Sequence, residues 1–313
     1  MTDKIKIKIV KGFLRSLVKP MFGPPLSYPL QRSWLNAMTA LNFAPKQTQR
    51  AALNVAGVPV QRVSNTADAG AATDNIILYL HGGAYCAGTA KSHAGLTAHL
   101  AKKCQAQVFV PEYRLAPEHP FPAAIDDCLS CYEWLLAQGH EPANIILAGD
   151  SAGGGLVMAT ALRLKEKNLA QPAGLVLISP WVDLTLANRQ QVSDKIDPLL
   201  RWSTLDVATQ CYLNGIDRKD PLASAIFADL SDLAPMLIQV GSEEILLGDA
   251  QRLYDQAKKY QVDVSFNLYQ QGWHVFHLQA GLINMADQAI DEISQFMDGV
   301  TAASASHPQE ACS

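Results

Sequence analysis

Short apolar runs recur along the chain, separated by longer stretches with helical spacing. The runs are Ile76–Leu80, Val108–Val110, Ile145–Ala148, Leu175–Ile178, Met236–Val240 and Val262–Leu268. They are continuous rather than alternating, which is the pattern of strands buried on both faces. Between them, residues 92–103, 122–138, 152–168 and 249–260 place apolar side chains at intervals of three and four, as helices do. Strand–helix alternation of this kind predicts an α/β fold with a mostly parallel central sheet flanked by helices. Val58–Val63 instead alternates apolar with polar, and reads as an edge strand.

Two intervals break the rhythm. Residues 1–45 have helical spacing and no strand, and Gly23-Pro24-Pro25 cuts them in two. Residues 183–230 fall between two sheet strands without a clear strand of their own. The expected organisation is therefore an N-terminal helical cap at 1–45 and an α/β domain at 46–300. Within that domain, 183–230 supplies a second cap segment. The small, polar residues 301–313 read as a flexible tail.

Composition narrows the class. Of 313 residues, 49% are hydrophobic and 17% charged, enough apolar material for a large core. The net charge of −4 and the lack of a basic stripe argue against a nucleic-acid partner. No apolar run approaches the ~18 residues needed to span a bilayer. At the N-terminus, Lys4, Lys6, Lys8, Lys11, Arg15 and Lys19 interleave with Ile5, Ile7, Ile9, Phe13, Leu14 and Leu17. A secretory signal keeps its lysines ahead of the apolar stretch, so export is not expected. The segment reads as a cap helix with a buried apolar stripe, with weak membrane-surface contact as its other use. The six cysteines have no disulfide-like spacing. Cys128 and Cys131 lie mid-helix beside an apolar face and read as small core residues. A reduced, cytoplasmic chain is expected.

The candidate chemistry begins at Gly149-Asp150-Ser151-Ala152-Gly153. A G-x-S-x-G pentapeptide is weak alone, but here a strand precedes it and a helix follows. Ser151 thus falls at a strand-to-helix elbow, where the helix N-terminus favours developing negative charge. A phosphate loop would need a lysine after its glycines, and none is present. Upstream, His81-Gly82-Gly83-Ala84 follows the strand Ile76–Leu80. Glycines there let backbone N–H groups approach an oxyanion, each good donor contributing about 3–4 kcal/mol. Gly82, Gly83 and Ala152 are the expected donors, and His81 a structural loop residue.

A serine nucleophile needs an imidazole base and an orienting carboxylate, and in a fold with this strand-to-helix elbow they follow it in the order acid, then histidine. Of the histidines after Ser151, His274 follows a strand, His277 falls in the next helix, and His307 lies in the tail. His274 is the expected base. For the acid, position alone leaves Glu243 and Glu244 tied. Asp249 reads as a helix cap, and Asp183 follows an earlier strand.

These motifs together resemble the hormone-sensitive-lipase family of α/β-hydrolase esterases, in its bacterial branch. The likeness runs from His81-Gly82-Gly83 through Glu112–Ala124 and Gly149–Gly154. It continues through Ser179–Leu184, Asp220–Ser224 and Gly241–Leu246 to Trp273-His274-Val275-Phe276. The resemblance implies an acid at Glu244, which breaks the tie, although aspartate is commoner there. Ala84 stands where the family has a third glycine. The resemblance also implies that Arg114 is held by a carboxylate. Two-step acyl transfer by such a triad needs no metal or cofactor, and none is expected.

The expected activity is that of a serine carboxylesterase on short- to medium-chain acyl esters. A Ser151–His274–Glu244 triad and a covalent acyl-enzyme would carry it. A lactone hydrolase with the same triad is the alternative. An acyltransferase, an amidase or a non-catalytic receptor on this fold are the further rivals. Trp34, Phe43, Trp181, Trp202 and Tyr212 are candidates to line the pocket, and an edge strand at Val262–Leu268 is a candidate homodimer contact.

Overall fold

The computed structural model describes residues 2–38, 44–65 and 73–306. Phe43, His307 and Cys312 lie outside them. Eight strands form one sheet in the order β1-β2-β4-β3-β5-β6-β7-β8. These are β1 Thr48–Val55, β2 Val58–Asn65, β3 Ile76–Leu80, β4 Gln107–Pro111, β5 Ile145–Asp150, β6 Gly174–Ile178, β7 Met236–Gly241 and β8 Val264–Tyr269. β1 and β2 pair antiparallel, as do β2 and β4, and the remaining pairs are parallel.

Every residue of β3, β5, β6 and β7 is buried, which accounts for their unbroken apolar runs. Successive side chains serve opposite faces. Ile76, Leu78 and Leu80 join the core under helices α4 (Ala123–Ala137), α5 (Ala152–Glu166) and α7 (Leu247–Lys259). Ile77 and Tyr79 join the core under α3 (Ala94–Lys103) and α8 (Asn284–Ser306). Cys128 and Cys131 are free, buried thiols in the first of these cores, where burial pushes the Cys131 thiol up to about 12.

Three expectations about elements need correction. β2 is not the edge: β1 lies outside it, joined by a turn in which Ala56 and Gly57 both have positive φ. β1 buries only Val55 fully, so its Thr-Gln-Arg-Ala-Ala-Leu-Asn sequence carries little apolar signal. The last strand begins at Val264 rather than Val262. The helix α8 continues through Ser306, past the expected start of the tail at 301.

The N-terminal segment is α1 (Asp3–Phe13), a π turn over Leu14–Val18, a 3-10 turn over Lys19–Met21, and α2 (Tyr28–Met38). Leu14 and Val18 are buried, with Ile7, Val10 and Phe13 packed beside them, while Ile5, Ile9 and Leu17 stay exposed. Several of its cations turn toward the rest of the chain. Lys6 Nζ donates to the Leu282 carbonyl at 2.7 Å, and Arg15 to that of Ile196 at 3.3 Å. Lys19 donates to the carbonyl of Asp197 at 2.7 Å. Helix α6 (Trp202–Leu213) lies in the 183–230 interval, and its Thr204 donates to the Phe22 carbonyl at 2.9 Å. Among the described residues no helix is long and apolar enough to cross a membrane.

Candidate active site

Ser151 stands between β5 and α5 with φ 55° and ψ −120°, a conformation that costs a non-glycine residue on the order of 1–3 kcal/mol. The surrounding backbone holds it there. Its N–H donates to the Ile178 carbonyl and its own carbonyl accepts from Trp181, both at 2.9 Å. Two residues on, a side chain at Gly153 would collide with the Leu80 carbonyl, so glycine is what lets α5 start this close to β3.

The loop after β3 turns sharply, with φ +130° at Gly83 and positive φ at Ala84 and Tyr85. The Gly83 carbonyl accepts from Cys86 and Ala87 at 3.1 and 2.8 Å. One expected donor is engaged elsewhere. The Gly82 N–H is directed at Asp150 Oδ1, 2.9 Å away, and so is committed to a carboxylate. Among the described residues the N–H groups of Gly83, Ala84 and Ala152 are not committed to a carboxylate in this way; Gly83 and Ala84 lie in this loop, and Ala152 follows Ser151.

Asp150 is the residue that sequence reasoning passed over. Its buried carboxylate accepts from the Tyr79 hydroxyl at 2.7 Å, from Gly82, and from His93 Nε2 at 3.3 Å. Burial opposes its charge, but the His93, Tyr79 and Gly82 donors outweigh that and lower its pKa to about 2. The available signal was a carboxylate at the buried end of a strand, which must find donors. Replacing Asp150 with asparagine removes one partner of a buried pair. We expect the stability from chemical denaturation to fall by about 3–5 kcal/mol.

His81 is held in the loop. It is fully buried, stacked on Tyr113 with ring centroids 4.3 Å apart, and burial and then His93 lower its pKa to about 3. Tyr113 also donates to the His81 carbonyl at 2.6 Å, which ties the Glu112–Ala124 segment to the loop. Arg114 pairs with Asp127 at 2.7 Å.

Beyond β7 and β8, two loops meet. His274 Nδ1 lies 2.9 Å from Glu244 Oε2, both side chains buried. The other oxygen, Oε1, accepts from the Gly241 N–H at 2.6 Å and from Ser179 Oγ at 2.9 Å. Burial works against charge on His274. The bond and charge of Glu244, with Asp197 and Asp150 behind it, nevertheless keep its pKa above the ordinary imidazole value. Glu243 turns away and pairs with Lys11 at 2.9 Å.

The other candidates are engaged elsewhere. His277 is buried against Gln239 Oε1 at 3.0 Å, and burial lowers its pKa to about 3. Asp183 pairs with Arg252. Asp249 does not cap α7. It lies inside the first turn and accepts from the Asp183 N–H and Asn188 at 3.1 Å. Burial, then the Asp183 charge, raise its pKa to about 8.

Ser151 and His274 line one cavity of about 450 Å³ with Gly83, Ala84 and Asp150. Its other walls are mostly apolar: Val10, Phe13, Leu14 and Val18 from the N-terminal segment, Trp34 from α2, and Leu199, Leu200 and Leu205 from the 183–230 interval. Of the expected aromatic lining, Trp34 is the one found there among the described residues. Trp181, Trp202 and Tyr212 are buried core residues outside it.

A serine on a strained elbow, at the buried end of the fifth strand of this sheet, places the molecule among the α/β hydrolases. Residues 77–278 match the alpha/beta hydrolase fold family. An esterase of Acinetobacter venetianus is 37% identical over 290 residues, covering 91% of this chain and 94% of that protein. An acetyl-hydrolase of Streptomyces hygroscopicus is 39% identical over 226 residues, 72% of this chain and 76% of that one. The crystal structure of an esterase from the bacterial hormone-sensitive lipase family superposes with a TM-score of 0.90 at 34% identity, covering 96% of this chain and all of that one. The chain belongs to the hormone-sensitive-lipase family of α/β-hydrolase esterases, and it is a carboxylic ester hydrolase.

Proposed function

We propose that this chain hydrolyses neutral short- to medium-chain acyl esters through a Ser151–His274–Glu244 triad. Ser151 Oγ attacks the ester carbonyl while His274 Nε2 takes its proton. The N–H groups of Gly83, Ala84 and Ala152 stabilise the tetrahedral oxyanion. The imidazolium returns the proton to the departing alcohol, leaving an acyl-serine. Water, deprotonated by His274, then releases the carboxylic acid and regenerates the serine. Glu244 holds the imidazole with Nε2 facing the serine throughout. In this reading the N-terminal segment and the 183–230 interval form the two halves of a cap over the site.

The observation that carries the substrate class is the lining of the cavity. Aliphatic and aromatic side chains make most of it, and among the described residues no lysine, arginine or glutamate contributes. Its one aspartate, Asp150, is already bonded on both oxygens. A volume of about 450 Å³ suits a small molecule with an apolar acyl group.

A panel of p-nitrophenyl esters of graded length, with simple lactones beside them, tests this. Each buried methylene contributes about 0.8 kcal/mol, so kcat/KM should rise roughly fourfold per carbon until the cavity is filled, and then fall. A flat response, or preference for charged acyl groups, would overturn the substrate class. Faster opening of a lactone than cleavage of the matched open-chain ester would move the assignment to lactones. Diversion of product by added alcohols or amines would indicate acyl transfer.

A further inference from the structure

The lysines of the N-terminal segment point inward more than an amphipathic surface helix requires. Lys11 is the most consequential. Its side chain is only 12% exposed, and its Nζ lies 2.9 Å from Glu243 Oε1. The same ammonium stands 5.5 Å from the centroid of the Trp273 ring, which is itself buried. Glu243 precedes Glu244 in the chain, and Trp273 precedes His274. One cation on α1 therefore touches both loops that carry the acid and the base, each at the adjoining residue.

Those loops are already stitched together. The Glu243 N–H donates to the Gly272 carbonyl at 2.8 Å, and Gly241 and Gly272 pack backbone to backbone without room for a side chain. A second link runs in parallel. Lys19 Nζ donates to the Asp197 carbonyl, and the buried Asp197 carboxylate accepts the Ile245 N–H at 3.1 Å. The segment between these two lysines contains Phe13, Leu14 and Val18, which wall the cavity.

We propose that Lys11 is a positioning residue that couples the seating of the acyl-pocket wall to the alignment of Glu244 and His274. It rests on the triad reading above, and it goes beyond it by making the N-terminal helix part of what holds the acid–base pair. With α1 seated, Lys11 fixes Glu243 and Trp273, and the neighbouring Glu244 and His274 are fixed with them. With α1 lifted, both loops lose the same clamp. A displacement on the order of 1 Å from a residue outside the chemistry can cost about 10²-fold. Lys11 acts at one residue's remove, so an effect of about tenfold is expected.

The test compares Lys11→Met, Lys11→Arg, Glu243→Gln and the Lys11→Met/Glu243→Gln double variant on acetyl and hexanoyl p-nitrophenyl esters. Lys11→Met should lower kcat roughly tenfold on both esters, with KM for the acetyl ester within about twofold of wild type. Lys11→Arg, which keeps the charge and the ring contact, should recover most of the loss. The double variant should be within about twofold of Lys11→Met, because both changes break one clamp. A kcat within twofold of wild type in Lys11→Met overturns the proposal. So does a loss confined to KM, a Lys11→Arg variant no better than Lys11→Met, or fully additive losses in the double variant. Glu244→Gln, run alongside, separates the two readings: if it leaves turnover intact, the triad fails whatever Lys11 does.

Discussion

Replacing Ser151 with alanine should lower kcat for ester hydrolysis by about 10⁶ while leaving the fold in place. The structure explains why both halves of that expectation belong together. The elbow is held by backbone, through the Ser151 N–H on Ile178 and the Ser151 carbonyl under Trp181. Alanine keeps both bonds and meets the same positive φ that serine already tolerates. Only Oγ is removed. Chemical denaturation of the variant should therefore stay within about 1 kcal/mol of wild type, in the range of changes that break no structural contact. In the proposed mechanism the oxyanion donors and the apolar cavity remain, and they still bind substrate and stabilise an oxyanion formed by water. Sites stripped of their nucleophile in this way keep roughly 10³–10⁴ over the uncatalysed rate. Mass spectrometry of acid-quenched wild type should show an acyl adduct on the peptide bearing Ser151, absent from the variant. Turnover in the variant above about 1% of wild type would remove Ser151 from the role of nucleophile.

The parts of this molecule that could be read from its sequence are those where one physical demand dominates. Strands β3, β5, β6 and β7 are covered on both faces, so nothing but apolar side chains fits, and their positions are plain. The elbow is plain for the same reason, since glycines at 149 and 153 answer a crowding that no side chain could. β1 was not legible because only Val55 is fully buried and the rest of its pairing comes from backbone bonds to β2. The partner of the Gly82 N–H was not legible because a glycine in sequence reports that the backbone comes close to something, not what its N–H faces. Here it faces Asp150. The direction of a side chain is similarly silent. Lys11 and Lys8 read alike in a basic amphipathic pattern, yet Lys8 is exposed and Lys11 is held between Glu243 and Trp273.

Glu243 and Glu244 show that silence most sharply, and their amides should separate them by about three orders of magnitude. Glu244→Gln keeps the shape of the side chain but has one acceptor where the carboxylate has two. The Oε1 position is met by the Gly241 N–H and by the Ser179 hydroxyl. Ser179 Oγ accepts from the Val275 N–H, so its own proton is directed toward residue 244. Two donors at that end require the carbonyl of the new amide to sit there. Its NH₂ group then faces His274 Nδ1, where the carboxylate had accepted. Two donors cannot share that contact, so the imidazole carries its proton on Nε2 and has no lone pair for the serine proton. The wrong tautomer of this kind costs about 10⁴ in kcat with geometry otherwise preserved. Glu243→Gln breaks only the ion pair to Lys11 and keeps its backbone bond to Gly272, so its loss should be about tenfold, as for the clamp it belongs to. Steady-state kinetics of the two variants on one acetyl ester make the comparison. Should Glu243→Gln abolish turnover and Glu244→Gln preserve it, the acid would have to be reassigned to Glu243, and the clamp on Lys11 would become part of the triad itself.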